Sequence, residues 1–143
     1  KEKMEYGLSK CDICKISEEE VEFLTGEKEI ENGAQILRKR FPVKFLLVTA
    51  GAEGSYAFYK DQKAYQPSFK LGGTIETTGA GDTFCGSILH QLLDREIEHL
   101  TEADLKEMLL FANAAAYLVT TKKGAIRSMP EIDEVWKIAE KNK

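Results

Sequence analysis

With 143 residues and 43% hydrophobic side chains, the chain is long enough for one domain with its own core and too apolar to be disordered. A net charge of -4 argues against a nucleic-acid or anionic-membrane surface, and no apolar run approaches the length of a membrane span. Three cysteines give no disulfide framework and suit a reducing cytoplasm; no signal peptide is expected, and a sequence opening on Lys1 is expected to be the remainder of a longer one.

Lys1 to Ser9 reads as the end of a helix. Cys11 to Ile16 reads as a short strand stopping at Ser17, which would turn the Cys11 and Cys14 thiols to opposite faces. With no second Cys or His pair at zinc spacing, neither metal binding nor redox use is expected of them. Ser17 and Glu20 have the spacing of a capping box, followed by a short helix through Val21, Phe23 and Leu24 that ends at Gly26. A second helix is predicted from about Glu29 to Arg40, before Pro42.

Lys44 to Thr49 is a nearly continuous apolar run, the pattern of a strand buried on both faces of a parallel sheet. Ala50 to Gly54 follows as a loop at a strand's carboxyl end, where open α/β sheets bind ligands; a tight turn into the next strand, Ser55 to Tyr59, is the competing reading. Asp61-Gln62 is the expected hairpin turn into a strand at Lys63 to Tyr65.

Gly79-Ala80-Gly81 leads into Asp82 and then into a helical pattern of Phe84, Ile88, Leu89, Leu92 and Leu93, which puts Asp82 in the first turn. The first amides of a helix lack intrahelical partners and sit at its positive end, so a loop without bulky side chains admits a phosphate to them. An acid beside such an anion hole suggests a proton acceptor close to developing negative charge, as in phosphoryl transfer to an alcohol. The alternative is an ordinary glycine turn with an acid favouring the helix start. The Gly-x-x-x-x-Gly-Lys-Ser/Thr loop is absent, and Phe84 stands where a dinucleotide fingerprint needs a third glycine.

Thr101 to Asp104 resembles a capped start for a long helix, with Leu105, Met108, Leu109, Ala112, Ala115, Ala116 and Val119 on one face. His90 and His99 are isolated, on a helix surface or end. Pro130 opens a last amphipathic helix carrying Ile132, Val135, Trp136 and Ile138. The order predicts an α/β layered, Rossmann-like domain with parallel strands and flanking helices, and so few strands leave an open edge that needs more chain or a partner.

This order of motifs resembles the carboxyl-terminal half of the PfkB-type sugar kinases of the ribokinase superfamily, most of all the bacterial fructokinases. The likeness runs through Lys15 to Glu20, Leu24 to Gly26, Val48 to Gly54, Thr77 to Phe84, Ala112 to Ala116 and Lys123 to Pro130. It implies a ribokinase-like fold, here incomplete, with 1–143 as the nucleotide-binding and catalytic-base half and the amino-terminal half and lid absent. It also implies ATP-dependent phosphorylation of a sugar hydroxyl, fructose foremost, with Asp82 as base and Gly79, Ala80 and Gly81 as anion hole. Ser17, the loop Thr49, Ala50, Gly51, Ala52, Glu53 and Gly54, and Asn113 correspond to nucleotide contacts, and Glu20 to the acid associated with magnesium. Glu76, Thr78, Gly124 and Ser128 correspond to a monovalent-cation loop, for potassium.

Three departures stand out: Ser17 where the family usually has Asn; Glu76 where Asp is usual, which puts potassium activation in question; and Ser87 in place of a smaller residue, which a helix easily accommodates. The chain alone is expected to be inactive, and to need its missing half or to self-associate across the open edge. A nucleoside kinase, or a nucleotide-binding or interaction module without catalysis, are the alternatives.

Overall fold

The structure, a computed structural model, describes residues 1–141. Its elements are α1 (Glu2–Leu8), β1 (Ile13–Ser17), α2 (Glu18–Thr25), α3 (Ile30–Arg40), β2 (Phe45–Ala50), β3 (Gly54–Tyr59) and β4 (Gln62–Pro67), then α4 (Ala80–Leu92), α5 (Glu102–Thr120) and α6 (Ile132–Glu140). Both expected helix starts close as reciprocal caps. Ser17 Oγ accepts from the Glu20 amide at 3.3 Å while Glu20 Oε2 accepts from the Ser17 amide at 2.7 Å, and Thr101 with Asp104 does the same.

The sheet order is β1-β2-β3-β4. Only β1 and β2 run parallel, with Ile13 opposite Phe45 and Ser17 opposite Thr49; β2–β3 and β3–β4 are antiparallel. The parallel expectation holds for β1–β2 and the hairpin expectation for β3–β4; between β2 and β3 a single 3-10 turn, Gly51–Glu53, makes the pair antiparallel, since a parallel return would need a crossover of a dozen residues or more. The next hairpin turns on Lys60 and Asp61, with Lys60 at φ 49°, so Gln62 already pairs with Tyr59 one position earlier than expected. Among the described residues β1 has a neighbour on one side only, which is the open edge that so small a sheet implied.

Alternation along the strands makes two cores. Ile16, Leu46 and Val48 face α1, α2 and α3 through Leu8, Val21, Leu24, Ala34 and Leu37. On the other face Phe45, Leu47, Ala57 and Tyr59 meet Phe84 and Ile88 of α4 and Leu105, Met108 and Leu109 of α5. Burying each such large side chain stabilises by roughly 1.5–3 kcal/mol, so β2, with Phe45 to Val48 all fully buried, anchors both layers.

Three details differ from the sequence reading. Of the apolar pattern expected on α4 only Phe84 and Ile88 are buried; Leu89 and Leu93 are 48% and 80% exposed, because the sheet covers one stripe of the helix and nothing described covers the next. Helix α5 buries two faces, the second through Leu110, Phe111, Ala114 and Ala115 against Val135 and Ala139 of α6. Cys11 precedes β1, so strand alternation does not separate it from Cys14: both pack on the α1–α3 core, and burial first and the adjacent Cys11 thiol second push the Cys14 thiol up to about 12.

Candidate functional site

The carboxyl ends of β1 and β2 lie side by side because the two strands are parallel, and the amino-terminal end of α4 comes to the same end of the sheet. Gly79 caps α4 with φ 85°, and a Cβ there would stand 2.8 Å from the Ala125 Cβ. Glycine is thus required twice, for the left-handed turn and for the close approach of the segment after α5. Gly54 is similarly fixed, with φ 131° and a would-be Cβ 2.2 Å from the Gln66 carbonyl oxygen.

The first turn of α4 has no side-chain cap. The Ala80 amide bends back to the Thr77 carbonyl at 3.2 Å, and the Thr83 amide begins the helical ladder on the Gly79 carbonyl at 2.9 Å. This leaves the Gly81 and Asp82 amides as the orphan donors. The donor pair at the loop is one residue further along than the glycines suggested: Ala80 contributes its small size and Asp82 its N–H.

Two depressions meet at this loop. The larger, about 630 Å³, is bounded by Thr49, Gly51, Ala52 and Gly54 from the β2–β3 turn, by Ala80, Gly81 and Phe84, and by Asn113, Ala116 and Tyr117 of α5. That volume and the mostly small or apolar lining are those of a small-molecule site. The smaller, about 190 Å³, lies between α4, α5 and α6, and Asp82, Thr83, Ser87 and His90 line it. Gly81 and Asp82, adjacent in sequence, therefore face different spaces. Thr83 Oγ1 is buried beside the smaller one without a hydrogen-bond partner among the described residues.

The other candidates divide by position. Ala50 and Glu53 belong to the turn but not to the cavity wall. Asn113 borders the cavity with its amide committed inside the protein: Oδ1 accepts from Ser55 Oγ at 2.9 Å, and Nδ2 donates to the Gln66 and Pro67 carbonyls at 3.0 and 3.2 Å. It fixes α5 to the ends of β3 and β4. Ser17 and Glu20 stand at the end of β1, locked to each other, outside the cavity wall. Glu76, Thr78, Gly124 and Ser128 do come together. Glu76 Oε2 accepts from the Gly124 amide at 3.1 Å, that bond and then the Thr78 hydroxyl hold its carboxyl below the usual glutamate range, and Ser128 Oγ donates to the Lys123 carbonyl at 2.6 Å.

The far wall of the cavity, formed by Ser68, Phe69, Lys70, Gly72 and Thr74 and closed by Thr77, escaped the sequence reading except for Thr77, which opens the Thr77 to Phe84 motif. It is irregular backbone with no periodicity, and what orders it is distant: Tyr117 Oη donates to the Gly72 carbonyl at 3.0 Å, and the Ile75 amide donates to the Thr120 carbonyl at 2.8 Å. The only local signal is Gly72-Gly73, both at positive φ.

Among known proteins, the profile of the pfkB family carbohydrate kinases matches residues 1–132. Fructokinase-1 of Zea mays is 42% identical over 130 residues, which span 91% of this chain and 40% of that protein. Of solved structures, Arabidopsis thaliana ribokinase complexed with ribose and ATP superposes with a TM-score of 0.78 at 32% identity, over 93% of this chain and 42% of its own. Fructokinase from Vibrio cholerae O395 in a fructose-, ADP- and calcium-bound form gives 0.82 at 29% identity, over 94% and 43%. The chain thus spans less than half the length of each of these relatives.

Proposed function

The chain belongs to the pfkB family of carbohydrate kinases, and on that premise we propose that its complete parent protein transfers the terminal phosphoryl group of ATP to a sugar hydroxyl, with fructose as the leading acceptor. The observation that carries this reading is the partition at α4, where free Gly81 and Asp82 amides stand between a nucleotide-sized cavity and the Asp82 side chain. ATP occupies the larger cavity with its phosphates toward Gly81, and the sugar approaches from the Asp82 side. Asp82 takes the proton from the attacking hydroxyl as its oxygen bonds to the γ-phosphorus. The bond from that phosphorus to the β–γ bridging oxygen breaks, and ADP leaves with the electron pair. The two amides hold the charge spread over the equatorial oxygens.

Magnesium fits this donor set as an ion shared with substrate. No group of three or more acidic, His or Cys side chains capable of holding a metal occurs among the described residues, whereas Glu20 has one carboxylate oxygen outside its capping bond, suited to a hydrated ion that also binds phosphates. Bound there, the ion would neutralise phosphate charge. Glu76 with Thr78, Gly124 and Ser128 offers the oxygen-rich loop at which potassium would act. Residues 1–143 form the carboxyl-terminal, nucleotide-side half, inactive alone. The missing amino-terminal half pairs with the open β1 edge and supplies most of the sugar contacts, and the protein works in the cytoplasm. No helix among the described residues is long and apolar enough to cross a membrane.

One observation favours a second reading, a nucleotide-binding module without turnover: Ser17 spends its hydroxyl on the α2 cap. The complete parent, assayed with ATP across sugars and nucleosides, separates the two. Asp82→Asn is expected to lower turnover by at least about a hundredfold while ADP binding persists. Full activity in that variant, or ATP binding without phosphorylation of any acceptor, refutes the kinase reading, and a nucleoside as best acceptor refutes fructose.

A further inference from the structure

We propose that Lys15 is a catalytic cation of this site, its ammonium joining the Gly81 and Asp82 amides on the phosphoryl group in flight. The proposal rests on the kinase reading and assigns a residue to which that reading gives no role. Lys15 sits in β1 opposite Leu47 of β2. By alternation it shares a face with Ile13, which packs on the α4–α5 side of the sheet. From there its half-buried side chain runs to the start of α4, where Nζ stands 3.3 Å from the point a Cβ on Gly81 would occupy. Apart from the flanking residues and the helix's own backbone, nothing else described lies within 4 Å of that point, so the absent side chain of Gly81 leaves its space to the ammonium.

The electrostatics make this placement informative. Lys15 has no hydrogen bond and no ion pair within 4.0 Å among the described residues, and Asp82 is not paired with it. Its charge reaches Glu19, whose exposed carboxyl is held low chiefly by the Ser17 hydroxyl and only last by Lys15. An ammonium with no ion-pair partner within 4.0 Å among the described residues has thus been brought against the positive end of a helix whose Gly81 and Asp82 amides are also unpartnered. In the empty protein these positive features repel each other, and a half-buried charge has given up part of its hydration. An anion between them removes both costs. A tetrahedral phosphate ester gains from this arrangement, and a planar phosphoryl group carrying charge on three equatorial oxygens gains more, because two amides and one ammonium can each address an oxygen. Lys15 transfers no proton: it stays charged while the hydroxyl proton goes to Asp82.

The test compares ground-state and transition-state binding in the complete parent. Lys15→Met keeps the length of the side chain and removes its charge. ADP with magnesium is titrated alone, then with aluminium fluoride and the acceptor sugar, whose planar fluoride mimics the phosphoryl in flight. Lys15→Met is expected to bind ADP within about threefold of wild type, to bind the aluminium fluoride complex about a hundredfold more weakly and to lose kcat by a similar factor, with Lys15→Arg recovering part of both. Lys15→Gln, read the same way, serves if the Met variant fails to fold by circular dichroism. Equal weakening of ADP and of the fluoride complex would make Lys15 a holder of bound nucleotide and overturn the proposal, as would no weakening of either. A wild-type parent that forms no fluoride complex refutes the kinase reading itself; a wild type that forms it, with both neutral variants unaffected, refutes only Lys15.

Discussion

The two glycines of the α4 loop should fail in opposite ways when each is replaced by alanine. At Gly79, alanine must adopt φ 85°, which costs an L-residue about 1–2 kcal/mol. Its methyl would also stand 2.8 Å from the Ala125 Cβ, well inside ordinary carbon contact, and such overpacking costs about 1–3 kcal/mol more. Together these amount to a loss of about 2–5 kcal/mol, with the Ile126–Ser128 turn displaced from the loop. At Gly81 neither term applies: φ is not positive, and the one neighbour within 4 Å is the flexible end of Lys15. Alanine is favoured over glycine in a helix by about 0.5–1 kcal/mol, so Gly81→Ala should be as stable as wild type or slightly more so. Its methyl, however, takes the space of the ammonium beside the orphan amides, and misplacement by about 1 Å at such a centre costs about a hundredfold in turnover. Urea unfolding of the complete parent, followed by circular dichroism beside a turnover assay, reads both effects. A Gly79→Ala midpoint equal to wild type, or a Gly81→Ala variant that loses stability as Gly79→Ala does, would refute this account of the loop.

Asn113→Ala removes the partner of Ser55 Oγ and both donors to the Gln66 and Pro67 carbonyls in a place only 7% exposed, and is expected to cost about 2–4 kcal/mol in a urea titration. Asn113→Asp keeps the shape but turns an acceptor onto those carbonyls, so its loss should be greater at about pH 7 than at about pH 4, where protonation restores one donor. For Glu76 the sign is the usual acidic one. Its folded pKa is lowered by the Gly124 amide and then by Thr78, so its stabilising contribution is present above the unfolded glutamate pKa and is lost as pH falls through the folded one. Glu76→Gln should therefore differ from wild type at neutral pH and converge with it in acid when unfolding midpoints are followed against pH. A constant difference would show that the carboxylate charge is not what the loop uses.

What could be read in advance was whatever depends on neighbours in sequence. The caps at Ser17–Glu20 and Thr101–Asp104 are three-residue signals, and both bond as expected. Strand β2 declared itself because burial on both faces demands an unbroken apolar run. The positions misread are those decided by what lies across space. Leu89 fits the helical stripe of α4 as well as Ile88 does, and only the placement of the sheet separates them. The cavity wall from Ser68 to Thr77 has no pattern of its own because α5 and the β2–β3 turn supply hydrogen bonds that order it. Lys15 is one of 20 basic residues in the chain and looks ordinary until β1 and α4 are brought together.

On the kinase reading proposed above, the partition at Gly81–Asp82 lets one short motif serve two substrates. Successive residues in the first turn of a helix point about 100° apart, so a one-residue step moves from the wall of one space to the wall of another while the backbone amides stay between them. The larger space has a wall on every element that bounds it, from the β2–β3 turn, the 68–77 segment, α4 and α5. The smaller has Asp82 at one end and a rim of half-exposed Met129 and Ile132. Apolar side chains left half-exposed beside a carboxylate make a poor sugar site, since they present no donors or acceptors to hydroxyls. The polarity that selects an acceptor has to come from chain outside these residues. On the proposed kinase reading, nucleotide binding is therefore a property these residues carry in their own geometry, whereas the choice of sugar rests with the rest of the parent protein.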